Sequence, residues 1–163
     1  MHQNRERSAV LAPSQFTGRL PAEDRFSPIP MPKAIVWFRR DLRVSDNPAL
    51  RAAIDQCEQV IPLYLHCPNE EAPWQPGAAS RWWLHHSLLS LSGDLSQLGL
   101  PLTIEKTQDS QGALAKLASE TGATHLYWNR LYDPATVQRD KAIKDWATRQ
   151  GLTAQSFNAA LLH

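Results

Sequence analysis

The chain has 163 residues, a formal net charge of +1 and two cysteines, Cys57 and Cys67, outside any Cys-x-x-Cys spacing. That length fits one domain with a single core. The balanced charge supplies no basic field for nucleic acid, and no apolar run reaches transmembrane length. The cysteine pattern points to a reducing, cytoplasmic setting and away from a zinc site.

Residues 1–32 read as a disordered or dispensable leader, interrupted by Pro13, Pro21, Pro28, Pro30 and Pro32. Its acidic residues, Glu6, Glu23 and Asp24, argue against an organelle transit peptide. Met31 stands just before the first predicted strand. The apolar run over 33–38 predicts that strand, buried on both faces. Asn47 as N-cap and Pro48 at the first helical position open a helix over roughly 47–57, with Leu50, Ala53, Ile54 and Cys57 on one face.

Val60–His66 predicts the second buried strand, with Pro62 tolerated near its start. A proline-rich loop over 67–79 follows and carries Trp74. A long helix over about 80–98 is capped by Ser80 and stopped by Gly99. Leu84, Leu88, Leu91, Leu95 and Leu98 give it an apolar stripe, and Trp82, seven residues from Leu89, reads as core. Pro101–Lys106 is the third strand. Asp109 or Ser110 caps a third helix that turns Leu114, Leu117 and Ala118 inward and ends at Gly122. His125–Trp128 is the fourth strand. Asp133-Pro134 repeats the cap signature for a helix to about Gln150, and Thr153–Phe157 is the fifth strand. Strands alternating with helices predict an α/β, doubly wound, Rossmann-like sheet of five parallel strands, order 3-2-1-4-5, with helices on both faces.

The turn after the first strand holds Arg39, Arg40, Asp41, Arg43, Ser45, Asp46 and Asn47 and no glycine. A dinucleotide site needs Gly-x-Gly-x-x-Gly there, so that the backbone can approach the pyrophosphate. Its absence, with that of a Walker loop, argues against NAD or ATP. The arginines and aspartates have two readings. One is an ion-pair network that ties the turn down. The other is a pocket floored by Phe38 and one arginine for a flat, partly anionic ligand, because guanidinium both stacks on rings and pairs with carboxylate or carbonyl oxygen. Asn129, Tyr132 and Asp133 add a polar wall if the order reverses between strands one and four, although capping is the simpler role for Asp133. His66 reads as packed rather than catalytic, and Cys67 has no local base. Trp74, in a loop, is the better candidate for stacking on a ligand. His85 and His86 are adjacent on a helix and point apart, which disfavours metal ligation.

The block Trp37-Phe38-Arg39-Arg40-Asp41-Leu42-Arg43, followed by Asp46-Asn47-Pro48-Ala49-Leu50, resembles the opening of the DNA photolyase/cryptochrome family. Ala79-Ser80-Arg81-Trp82-Trp83-Leu84 resembles its long second helix. Tyr127-Trp128-Asn129-Arg130, with Tyr132-Asp133-Pro134 and Arg139-Asp140, resembles the loop after its fourth strand. The resemblance spans about 33–163. It implies an antenna domain for a deazaflavin, flavin or folate chromophore. FAD, the electron-transfer tryptophans and the groove for UV-damaged DNA are expected only in a separate helical domain beyond His163. The chain alone is therefore expected to lack dimer-splitting activity and to make no direct contact with nucleic acid or membrane.

Ala135 and Thr136 stand where some members carry the Asn-Glu pair of one folate pose. The resemblance carries over Phe38, Arg39, Leu65, His66, Arg81, Asn129 and Asp133 as candidate chromophore contacts, with no catalytic residue and no metal ligand. The competing readings are a cryptochrome-like signalling module and a free-standing small-molecule or nucleotide-binding protein of related fold.

Overall fold

Alternation along Lys33–Phe38 sets the layers of the molecule. In the computed structural model, which describes residues 32–71 and 77–159, this segment is strand β1, and its side chains are buried on both sides. Ala34, Val36 and Phe38 face one layer, with Leu50 and Ala53 of helix α1 (Pro48–Gln56) and Leu91 and Leu95 of helix α2 (Ala78–Gln97). Ile35 and Trp37 face the other, with Leu114 of helix α3 (Ser110–Thr121) and Ile143 of helix α4 (Pro134–Arg149). A strand buried on both faces is the normal centre of an all-parallel sheet.

The remaining strands are β2 (Gln59–His66), β3 (Thr103–Lys106), β4 (His125–Asn129) and β5 (Thr153–Phe157). Every pairing is parallel and the order is β3-β2-β1-β4-β5. The doubly wound topology expected from the sequence is therefore the one observed. The direction of winding reverses between β1 and β4, so their carboxyl ends flank the switch point where such sheets bind ligands.

Local chemistry sets the helix ends. Asn47 Oδ1 accepts from Leu50 N at 3.0 Å, and the Asp109 carboxylate accepts from Gln111 N and Gly112 N at 3.0 and 2.9 Å. Gly122 ends α3 in the left-handed conformation at φ 69°, where a side chain would be strained. A short 3-10 helix, Pro68–Glu71, follows β2.

Four expectations are corrected. Helix α2 begins at Ala78 with Gly77 as its cap, so Ser80 lies inside the first turn and caps nothing. Trp82 is 57% exposed instead of core. Its spacing from Leu89 does place the two on one face, but Leu91 lies about two and a half turns on and points the opposite way, so that face is outward. Of the α2 leucine stripe, Leu91 and Leu95 are buried, whereas Leu98 is exposed. Ile54 is likewise exposed, and Ala49 and Ala52 join Leu50 and Ala53 in the core instead. Residues 1–31 of the leader, and Trp74, lie outside the described residues.

Candidate functional site

At the carboxyl end of β1 the alternation continues into the polar turn. Arg39 falls on the Trp37 side and is almost fully buried, at 7% exposure. Its Nη1 donates to both carboxylate oxygens of Asp140, at 2.7 and 2.9 Å, its Nη2 donates to the Asn129 carbonyl, and its own backbone N–H donates to Asp41 Oδ1 at 3.0 Å. Burial lowers the Arg39 pKa from its ordinary value, and the Asp140 carboxylate opposes that shift. Asp140 also accepts from Trp128 Nε1 at 3.0 Å.

The network runs on across the sheet edge. Arg39 and Arg139 each place a guanidinium carbon 5.0 Å from the centre of the Trp37 ring. Arg139 Nη1 pairs with Glu70 at 3.2 Å. Glu70 accepts from Ser110 N at 2.7 Å and lies 2.5 Å from Ser110 Oγ, which in turn is 3.2 Å from Cys67 Sγ. Burial, more than its neighbours, raises the Cys67 thiol pKa, as it does for Cys57.

Asn129 joins the other half of the edge. Its Oδ1 accepts from Ala49 N at 3.2 Å in the first turn of α1, and its Nδ2 donates to Asn47 Oδ1 at 2.8 Å and to Asp41 Oδ2. One amide thus links the end of β4, the β1–α1 turn and the start of α1. Asp133 was expected to cap α4, but its carboxylate makes no capping bond and instead pairs with Arg40 Nη1 at 2.8 Å. Asp133 nevertheless stands at the N-cap position with Pro134 at the first helical position, and its carbonyl accepts from Val137 N at 3.0 Å.

Between these groups lies a notch of about 140 Å³, lined by Arg40, Asp41, Arg43, Asn129, Arg130, Leu131 and Ala159. Of the seven candidate contacts, Asn129 alone lines it. Phe38 is 0% exposed and belongs to the core on the α1 side, and Leu65 is buried on the opposite side. His66 ends β2, and Arg81 is exposed in the first turn of α2. The other lining residues named in the same two sequence blocks, Arg40, Asp41, Arg43, Arg130 and Leu131, sit beside the candidates in the chain. A larger groove of about 440 Å³ adjoins the β1–α1 turn, along Val44, Asp46, Asn47, Pro48, Leu50, Arg51 and Ile54. Among the described residues no helix is long and apolar enough to cross a membrane, and no cluster of three His, Cys, Asp or Glu residues could hold a metal.

Comparison with known proteins gives one answer. The DNA photolyase family profile matches residues 34–163. Cryptochrome-2 of Arabidopsis thaliana is 46% identical over 131 residues, covering 80% of this chain and 21% of the relative. A deoxyribodipyrimidine photo-lyase of Agrobacterium fabrum is 46% identical over 129 residues, covering 79% of this chain and 26% of the relative. The crystal structure of a bacterial class III photolyase from Agrobacterium tumefaciens superimposes with a TM-score of 0.77 at 43% identity, over 86% of this chain and 28% of that one. The chain spans about a fifth to a quarter of the length of these curated relatives.

Proposed function

The chain belongs to the DNA photolyase/cryptochrome family, and on that premise we propose that its doubly wound domain is the antenna-chromophore-binding part of a deoxyribodipyrimidine photolyase. The observation that carries the reading is the notch at the β1/β4 switch point. There Arg40, Arg43 and Arg130 line an edge with no glycine, beside Asn129, whose amide is held by Ala49, Asn47 and Asp41. Arginine planes suit a flat, hydrogen-bonding, partly anionic ring system such as a deazaflavin, flavin or folate. The turn lacks the glycines with which a dinucleotide fold brings its backbone against a pyrophosphate.

The notch is smaller than the roughly 300–1,000 Å³ typical of small-molecule sites, so a ring system enters only if part of the rim moves. The Arg40–Asp133 pair is the movable part, since both side chains are more than half exposed and such pairs hold weakly. In this reading Asp133 meets the chromophore once its pair with Arg40 opens, Arg39 holds the Asn129 carbonyl in place, and Phe38 and Leu65 stay buried on opposite faces of the sheet behind the edge. FAD binding, dimer splitting and contact with UV-damaged DNA belong to the further length that the relatives possess. The chain by itself splits no dimers and binds no DNA directly, and it works in the cytoplasm.

Spectroscopic titration of the purified chain with a hydroxylated deazaflavin, FMN, a methenyl folate and ATP tests the assignment. Saturable binding of one of the first three, with a shifted absorption band, supports it. Thermal stabilisation by ATP alone overturns it. A cryptochrome-like signalling role is the second reading, favoured by the equal 46% identity to a cryptochrome and a photo-lyase. Grafting the domain into the Agrobacterium fabrum enzyme separates the two: repair with an antenna band in its action spectrum supports the photolyase role, and loss of that band supports signalling.

A further inference from the structure

Helix α2 carries two charged residues, Arg81 and Asp94, in its 20 positions. Its inward side buries Leu91 and Leu95. Its outward side is nevertheless not a polar, solvent-facing surface. Trp83 is 66% exposed, Leu89 is 57% exposed like Trp82, and His85 and His86 are exposed beside them. The rings gather into one patch, with Trp82 centred 4.2 Å from His86 and 5.1 Å from Trp83. A contiguous exposed aromatic patch marks an interaction surface.

The arrangement along that face says what covers it. Trp82, His86, Leu89, Gly93 and Ser96 follow one another at spacings of four, three, four and three, a heptad stripe. The stripe is bulky before Leu89 and small after it. Ser90, Gly93 and Ser96 are exposed, and a Cβ added at Gly93 would meet nothing within 4 Å. Ser96 Oγ already donates to the Ser92 carbonyl at 2.7 Å, so this half asks little of water. Trp82 and Ser96 both stand seven residues from Leu89. Turning a second helix end for end about Leu89 therefore sets each Trp82 over the partner's small half, with Leu89 against its own counterpart. A twofold interface requires this self-complementarity.

We propose that this face of α2 is an isologous interface, occupied by α2 of a second copy of the same chain in antiparallel register. The interface is independent of the chromophore reading. Sedimentation equilibrium of the full chain is expected to show a dimer, with Trp82→Glu raising the dissociation constant at least about tenfold, as expected for a central aromatic anchor. Gly93→Trp, which the open space accommodates in the single copy, is expected to weaken dimerisation similarly by filling the small half. Leu89→Cys is expected to give a disulfide-linked dimer under mild oxidation, since Cys57 and Cys67 are buried. Circular dichroism confirms that each variant is folded. A wild-type chain that stays monomeric to its solubility limit overturns the proposal. Dimerisation of Gly93→Trp at wild-type strength also overturns it, because apolar adhesion without register would then explain the association.

Discussion

Arg39 and Asp140, 101 positions apart in the chain, meet through two hydrogen bonds at 2.7 and 2.9 Å with both side chains largely withdrawn from solvent. This pair ties the end of β1 to α4 across the sheet edge. Asp140→Ala leaves a buried guanidinium without its counter-charge and is expected to destabilise the fold by about 3–5 kcal/mol. Replacing both partners together, Arg39→Met with Asp140→Leu, is expected to recover most of that loss. Urea denaturation of the single and double variants checks the difference.

Asn129 predicts a local effect. Asn129→Ala strands the Ala49 N–H and removes a donor from Asn47 and Asp41, with an expected loss of about 1–3 kcal/mol. Amide exchange should quicken first at the start of α1, although the substituted residue lies at the end of β4. Uniform acceleration across the sheet would show that the amide does not hold the helix.

Arg40 behaves in the opposite way. Its exposed pair with Asp133 is expected to contribute less than about 1 kcal/mol, so Arg40→Ala should leave the melting temperature almost unchanged. If the notch takes a planar pigment, the same variant weakens chromophore binding severalfold in the titration. Loss of stability without loss of binding contradicts the proposed site.

Alkaline pH gives a fourth test. Burial raises the pKa values of Cys57, Cys67 and Tyr127 in the folded chain. Above the ordinary thiol range, about 9 for an unfolded cysteine, the unfolded chain has released protons that the folded chain keeps. Stability is therefore fully present below that range and falls as pH rises through it. Urea midpoints measured on either side of about pH 9 should show the fall, and Cys57→Ala with Cys67→Ala should flatten it.

The order of elements was legible because each helix and strand carries its own local signal. Asn47-Pro48 opens α1, Gly122 closes α3, and apolar runs mark β1, β2 and β4. The layers were legible too, once parity along β1 is followed. That parity also sends Phe38 into the α1 side of the core and Arg39 toward Asp140, which a reading of residue type alone does not reveal. The facing of Trp82 and the partner of the Asp133 carboxylate were not legible, for a different reason; Asp133 itself does stand at the α4 N-cap. Spacing links Trp82 to Leu89 but cannot say which side of a helix meets the sheet. The cap position of Asp133 is visible locally, but the arginine that meets its carboxylate at 2.8 Å arrives only through tertiary folding.

The stacking of Arg39 and Arg139 on Trp37 has an optical consequence. Trp37 and Trp128 are shielded inside the protein, with ring centres 6.3 Å apart, whereas Trp82 and Trp83 face solvent. Iodide should therefore extinguish the emission of the outer pair and spare the inner pair. The residual ultraviolet glow would come mainly from these indoles beside the sheet edge, with a share from the partly buried Trp146, and would dim by energy transfer when a pigment settles there.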